Sequence, residues 1–166
     1  LPPAKEQLLI LGTEIAATIL CEGRNSLMVK RLREDLRIVE SIEIDLQILE
    51  EGGLILLEAC CPIENLNITE SEINTILNES IKKKFSSKEV ERAKKLVTNN
   101  IYFGLELSTQ IASYSGNQAL WERNQPILES IKNISYWTSE RLNKLIFPLY
   151  NPEDAYTLIA EPDKNI

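Results

Sequence analysis

The most constraining feature of the sequence is a change of hydrophobic period within residues 27–46. Met28, Leu32 and Leu36 recur every four residues, which is the spacing of one buried helix face. From residue 38 the apolar residues alternate instead, as they do on a half-buried strand. They are Ile38, Ile42, Ile44 and Leu46. A short helix that runs directly into a strand favours an α+β fold, in which one sheet packs against helices.

One acidic residue, Glu40, interrupts the apolar face of this predicted strand. A charge that is taken out of water without a partner is costly, so a carboxylate at this position needs a cation or several hydrogen-bond donors. We therefore expect Glu40 to lie within ion-pairing distance of Arg33 or Arg37.

The flanking sequence predicts helices on both sides of a two-stranded hairpin. An apolar stripe from about residue 4 to residue 20 predicts the first helix, in which Gly12 is a tolerated weak point. The apolar run 54–61 predicts a second strand that pairs back on the first. Further helices are expected at about residues 64–84, 86–107, 108–123 and 139–150, and a closing strand at 155–160.

Several of these helices have recognisable ends or faces. Ser86 and Glu89 have the spacing of a capping box, Thr138 can cap the last helix, and Pro148 should bend or shorten that helix. In the helix after Ser108 we expect the apolar residues to face the core. They are Ile111, Ala112, Ala119 and Leu120.

Composition excludes several classes of protein. The net charge of -7 argues against a nucleic-acid partner, which requires a basic surface. No apolar run approaches the roughly 20 residues of a membrane span, so no membrane partner is expected. Cys21, Cys60 and Cys61 lack a metal-ligand spacing and indicate free thiols in a reducing compartment, which makes a cytoplasmic location the expectation. The chain does not begin with Met, so we interpret it as a mature fragment or an excised domain.

Four short segments together carry a family resemblance. They are Leu-Arg-Glu-Asp-Leu at 32–36, Glu-Gly-Gly-Leu at 51–54, Cys-Pro-Ile-Glu-Asn-Leu at 61–66 and the helix start at 86–94. In order and approximate spacing they resemble the second-half (C-terminal, non-zinc) domain of the pitrilysin, insulinase and mitochondrial-processing-peptidase family of zinc metallopeptidases. The resemblance covers most of the chain.

The resemblance implies one α+β domain over residues 1–166, with the fold of a metallopeptidase half that lacks its first strand. In the family, a zinc-bearing half closes over a peptide against a second half that forms the opposing wall. The implied partners are a zinc-bearing homologous domain, in the same polypeptide or a partner subunit, and a peptide substrate, and a dimer is a possible assembly. The family's zinc site, His-x-x-Glu-His with a distal glutamate, cannot form here because the sequence contains no histidine. Zinc is therefore expected in the partner domain and no cofactor in this chain.

The resemblance also implies a substrate contact. In the family an arginine of the basic helix works with a tyrosine seven residues later to contact the bound peptide. Here the arginine is Arg33 and the tyrosine position is Glu40, so these two are the candidate substrate-binding residues. No catalytic residue and no metal ligand is expected.

Three functional hypotheses remain at this point. The leading one is a non-catalytic substrate-chamber domain of a zinc-dependent metallopeptidase. The alternative is a degenerate, catalytically inactive structural or interaction protein of the same fold, which the loss of the tyrosine favours. The third is an independent enzyme that uses Glu40 and Glu58, although two acids on neighbouring strands are more often satisfied polar residues.

Overall fold

The structure is a computed structural model that describes residues 1–123 and 126–161. Its first helix, α1 (Gln7–Cys21), is followed by a basic helix (Val29–Asp35) and two strands, β1 (Ser41–Ile48) and β2 (Gly53–Cys60). The later helices are α2 (Leu66–Lys82), α3 (Ser87–Gly104), α4 (Ser108–Leu120), α5 (Ile127–Asn133) and α6 (Ser139–Leu145). The α+β class is confirmed.

Strands β1 and β2 form an antiparallel hairpin, in which Ser41 lies opposite Cys60 and Ile48 opposite Gly53. Along β1 every second side chain faces the helices, so that Ile42 is buried while Ser41 and the acidic residues are exposed. The alternation in the sequence therefore gave the correct strand and the correct inner face. In the described residues the sheet has two strands, and the first element of the chain is a helix.

The core is built around α1, which packs on α3 and β1. Its side chains Ile15, Ile19 and Leu20 are almost completely buried. The segment after α5 completes the core with Trp137 and Phe147, both fully buried. Buried aliphatic and aromatic side chains of this size supply most of the free energy that holds such a domain together.

The predicted helix ends are confirmed where the sequence carries a polar cap. The Ser86 hydroxyl accepts a hydrogen bond from the Glu89 amide at 3.3 Å, and the Glu89 carboxylate accepts one from the Ser86 amide at 2.8 Å. Thr138 caps α6 through a single hydrogen bond, in which its hydroxyl accepts from the Arg141 amide at 3.3 Å. The helix ends at Leu145, and the turn that contains Pro148 is a short 3-10 helix instead.

Two expectations about the second half of the chain are wrong. Residues 155–160 form no strand, and the Tyr156 and Leu158 side chains lie in solvent. A strand is stable only when its backbone groups pair with a neighbour, and no backbone hydrogen bond joins this segment to the hairpin. Helix α4 forms as predicted, but its expected inner residues are exposed and the helix has no buried residue.

Across the described ranges, 1–123 and 126–161, no helix is both long enough and apolar enough to cross a membrane.

Candidate functional site

The segment before β1 begins with a tight turn that requires glycine. Gly23 has a φ angle of +80°, which side chains rarely allow. The Ser26 hydroxyl donates to the Gly23 carbonyl oxygen at 2.7 Å, and the Ser26 carbonyl oxygen accepts from the Lys30 amide at 2.9 Å. These bonds close the turn and connect it to the basic helix.

The basic helix is wider than an α-helix. The Leu36 amide donates to the Arg31 carbonyl oxygen, five residues back, at 3.0 Å, which is the π-helical pattern. Met28 and Leu32 are fully buried beneath the helix, as their spacing predicted. Arg37 then takes a left-handed φ angle of +56°, and the backbone turns there into the segment that leads to β1.

Arg33 lies on the exposed side of this helix and is bound by its neighbour in sequence. Its guanidinium donates two hydrogen bonds, of 3.2 and 3.3 Å, to the Glu34 carboxylate. The other oxygen of Glu34 accepts two bonds from Arg24, at 2.7 and 2.9 Å. Hydrogen bonds from Arg24, and then from Arg33, lower the pKa of Glu34, although partial desolvation opposes them. The Arg33 guanidinium is therefore exposed to solvent, but its charge is partly neutralised by the Glu34 carboxylate.

Glu40 is exposed, and the ion pair expected for it with Arg33 or Arg37 is wrong. Its amide donates to the Cys60 carbonyl oxygen at 2.8 Å, and its carboxylate accepts a weak bond from the Cys60 thiol at 3.8 Å. The physical reason is that β1 begins at Ser41, after the left-handed turn at Arg37, so the strand period does not extend back to Glu40. A solvated carboxylate needs no cation.

The structure does not bring Glu40 and Glu58 together as an acid pair across the hairpin. Glu58 lies directly opposite Glu43 in the ladder of β1 and β2. Both side chains are exposed. This arrangement is that of two solvated acids on a sheet surface, and it gives no support to an independent enzyme with carboxylate chemistry.

A cavity of about 640 Å³ lies between α1, β1, α3 and α4. Its polar lining includes Glu14, Glu22, Glu43 and Asp45. Burial by the surrounding protein raises the pKa of the Glu14 carboxyl to about 7, and the charge of Arg123 acts in the opposite direction. No pattern in the sequence predicts this cavity.

A family model described as the peptidase M16 inactive domain matches residues 2–97, more than half of the chain. This chain belongs to that family. The predicted resemblance to the non-zinc half of the pitrilysin family is therefore confirmed. No curated protein sequence matches the chain significantly.

Solved structures show that the M16 fold extends beyond the matched residues. A protease from Helicobacter pylori is 16% identical, covers 86% of this chain and superposes with a TM-score of 0.77. A putative M16-like peptidase from Alicyclobacillus acidocaldarius is 13% identical and covers 91% at a TM-score of 0.73. A peptidase M16 inactive domain from Pseudomonas fluorescens is 14% identical, covers 84% of this chain and superposes with a TM-score of 0.69. The chain spans about a third of the length of these structures, 35%, 34% and 34% respectively.

The M16 domain does not fit the zinc ion of the peptidase family. The sequence has no histidine, and the described residues contain no group of three Cys, Asp or Glu side chains placed to hold a metal. A zinc site needs three or four such ligands around one point.

Proposed function

We propose that this M16 domain is the non-catalytic wall of a peptidase chamber, which a zinc-bearing homologous domain completes. The observation that carries the proposal is the match of residues 2–97 to an inactive domain in a chain without histidine. In metal-assisted peptide hydrolysis the metal-bound water and a general base perform the reaction. The contribution of this domain is then to orient the peptide and to exclude water.

Arg33 is the residue that we propose to contact the peptide. Its side chain keeps 44% of its surface exposed, and it projects from the basic helix just before β1. A guanidinium can donate to a peptide carbonyl or carboxylate, and such charge-assisted bonds contribute about 1.5–3 kcal/mol. Glu34 must share or release the guanidinium for this to happen, because it holds Arg33 through two hydrogen bonds.

The test combines this chain with a zinc-bearing M16 domain and follows cleavage of a quenched fluorescent peptide. The chain alone, with added zinc, should cleave nothing, and the pair should cleave the peptide. In the pair, Arg33→Ala should raise KM roughly ten-fold, because a charge-assisted bond is lost. Lys30→Ala is the matched control, since Lys30 is exposed on the same helix and its ammonium pairs with Asp35.

A second function, that of an inactive interaction protein of the same fold, is favoured by one specific observation. Glu40 occupies the position at which the family has a tyrosine, and it is exposed without a cation beside it. Stable binding to the zinc-bearing domain without any gain in cleavage would support this second function. Cleavage by the isolated chain that a chelator abolishes would contradict both proposals.

A further inference from the structure

Strand β1 has an open edge. The Leu49 amide donates to the Gly52 carbonyl oxygen at 2.7 Å, which makes these two residues a hydrogen-bonded pair of the antiparallel ladder. Bonded and non-bonded pairs alternate along such a ladder. The backbone N–H and C=O groups of every second residue of β1 therefore point away from β2, and they have no partner within the described part of the chain. These residues are Ile42, Ile44, Leu46 and Ile48.

The cavity of about 640 Å³ runs along this open edge. It is lined on one side by Ile44, Leu46 and Ile48, whose backbone groups are the unpaired ones. Helix α4 lines the other side, and it has no buried residue, so it does not close against β1. Unpaired backbone groups in a sheltered position need hydrogen-bond partners, and an added strand is the partner that supplies them all at once.

Residues 155–160 form a segment with the matching properties. Its first residue, Ala155, has extended dihedral angles (φ −106°, ψ 156°), and the side chains of Tyr156 and Leu158 are almost completely exposed. The segment carries no charge and includes Tyr, Thr and Ile, which favour strands. As a strand it would be roughly 20 Å long, which fits within the eight residues of β1.

The segment and the open edge lie apart within one chain. The turn Pro152–Asp154, which precedes the segment, contacts α2, and neither α2 nor residues 155–160 line the cavity. A second copy can supply the segment instead. Pairing of β1 with β1 of that copy is less favourable, because antiparallel pairing about Ile44 would place Glu43 opposite Asp45, and like charges that face each other across two strands are destabilising.

We propose that two copies of this chain form a symmetric dimer, in which residues 155–160 of each copy add as a strand to the open β1 edge of the other. The added strand exchanges backbone hydrogen bonds with Ile44, Leu46 and Ile48. Its alternate side chains lie against the apolar part of the cavity, which is formed by Val97, Ile101 and Leu105. Both copies use the same two surfaces, as a two-fold interface requires.

The first experiment follows the association of the whole chain by sedimentation velocity. A reversible monomer–dimer equilibrium should appear between about 10 μM and 1 mM. The double variant Thr157→Pro/Leu158→Pro removes two successive amide donors, one of which points towards β1 in either register. It should weaken the dimer about ten-fold or more, without unfolding the monomer, in which the segment is unpaired. Glu161→Pro is the matched control, because it lies just beyond the segment and favours an extended backbone at the residue before it.

A second pair of variants tests the cavity. Gly104 lines it, and a β-carbon at Gly104 would meet nothing within 4 Å. Gly104→Trp should therefore fill part of the cavity without disturbing the core, and should weaken the dimer about ten-fold or more. Gly116→Trp is the matched control, since a β-carbon at Gly116 is equally unobstructed and Gly116 does not line the cavity.

Amide hydrogen exchange, measured by NMR, locates the added strand. The amides of Ile44, Leu46 and Ile48 should exchange more slowly as the protein concentration rises. Slower exchange at Ile55 and Leu57, whose amides point away from β1, would place the strand on the edge of β2 and overturn the proposal.

Three further results would also overturn it. They are a monomer at every concentration, a dimer that the double proline variant and Gly104→Trp leave unchanged, and protection of the β1 amides that does not depend on concentration. None of these results depends on a peptidase activity, so a failure here is distinct from a failure of the proposed chamber function.

Discussion

The α-carbon of Gly12 lies directly against the indole ring of Trp137. A β-carbon at Gly12 would stand 2.7 Å from two ring atoms, Cε2 and Cη2, which is closer than real side chains approach one another. Trp137 is fully buried and anchors the segment between α5 and α6 to α1. Gly12 is thus the position that lets the largest core side chain reach the central helix.

Gly12→Ala should destabilise the domain by about 1–3 kcal/mol, because a methyl group would force the Trp137 ring or α1 to move. The measurement is the free energy of unfolding in urea. The matched control is Gly116→Ala in the exposed helix α4, where a β-carbon would meet nothing within 4 Å. Helix propensity alone should stabilise that variant by about 0.5–1 kcal/mol. A Gly12→Ala variant as stable as wild type would show that the ring can move freely.

Glu14 should make the stability of the domain depend on pH. Its pKa is raised to about 7 in the fold by burial, against an ordinary value of about 4.3 in the unfolded chain. The folded state therefore holds more protons between these two values, and stability is lost as the pH rises from about 4.5 to 7.

The variant that tests this dependence is Glu14→Gln. At pH 8 its free energy of unfolding should exceed that of wild type by about 1–3 kcal/mol. At pH 4 the two proteins should have the same free energy of unfolding. Urea unfolding at several pH values, with Glu64→Gln as the surface control, measures the difference. If the difference in free energy of unfolding between Glu14→Gln and wild type were the same at every pH, Glu14 would not be the source of the pH dependence.

The N-terminus of α3 should depend on the capping box. Ser86→Ala removes the acceptor for the Glu89 amide, and we expect a loss of about 1 kcal/mol in the free energy of unfolding. Ser87→Ala changes a neighbouring exposed serine that does not form the cap, and it should leave stability within about 0.5 kcal/mol. Thermal and urea unfolding of both variants provide the comparison. If Ser86→Ala and Ser87→Ala lost the same free energy of unfolding, the capping box would make no specific contribution to stability.

The parts of the fold that depend on local chemistry could be predicted from the sequence. The change of period at Leu36 gave the helix and the strand, because burial on one side imposes a spacing of four on a helix and of two on a strand. The capping box could also be predicted, because its two residues, Ser86 and Glu89, lie within four positions of the sequence.

The parts that depend on distant partners could not be predicted in this way. Residues 155–160 alternate like a strand, yet a strand exists only where another strand pairs with it. The predicted ion pair of Glu40 was wrong for a related reason. The alternation of apolar residues gives no sign of the left-handed turn at Arg37. The cavity required α1, β1, α3 and α4 to meet, and Glu14 within an apolar helix was the only local signal of it.

Glu34 lies between two arginines, and this arrangement limits how strongly the basic helix can attract an acidic molecule from a distance. The four basic side chains at positions 24, 30, 31 and 33 pair with three carboxylates, those of Glu34, Asp35 and Glu72, so most of their positive charge is neutralised locally. Long-range steering of acidic molecules should be weak and should change little with ionic strength. A peptide that reaches Arg33 must therefore compete with Glu34 at contact distance, and shape rather than overall charge would decide which peptides succeed.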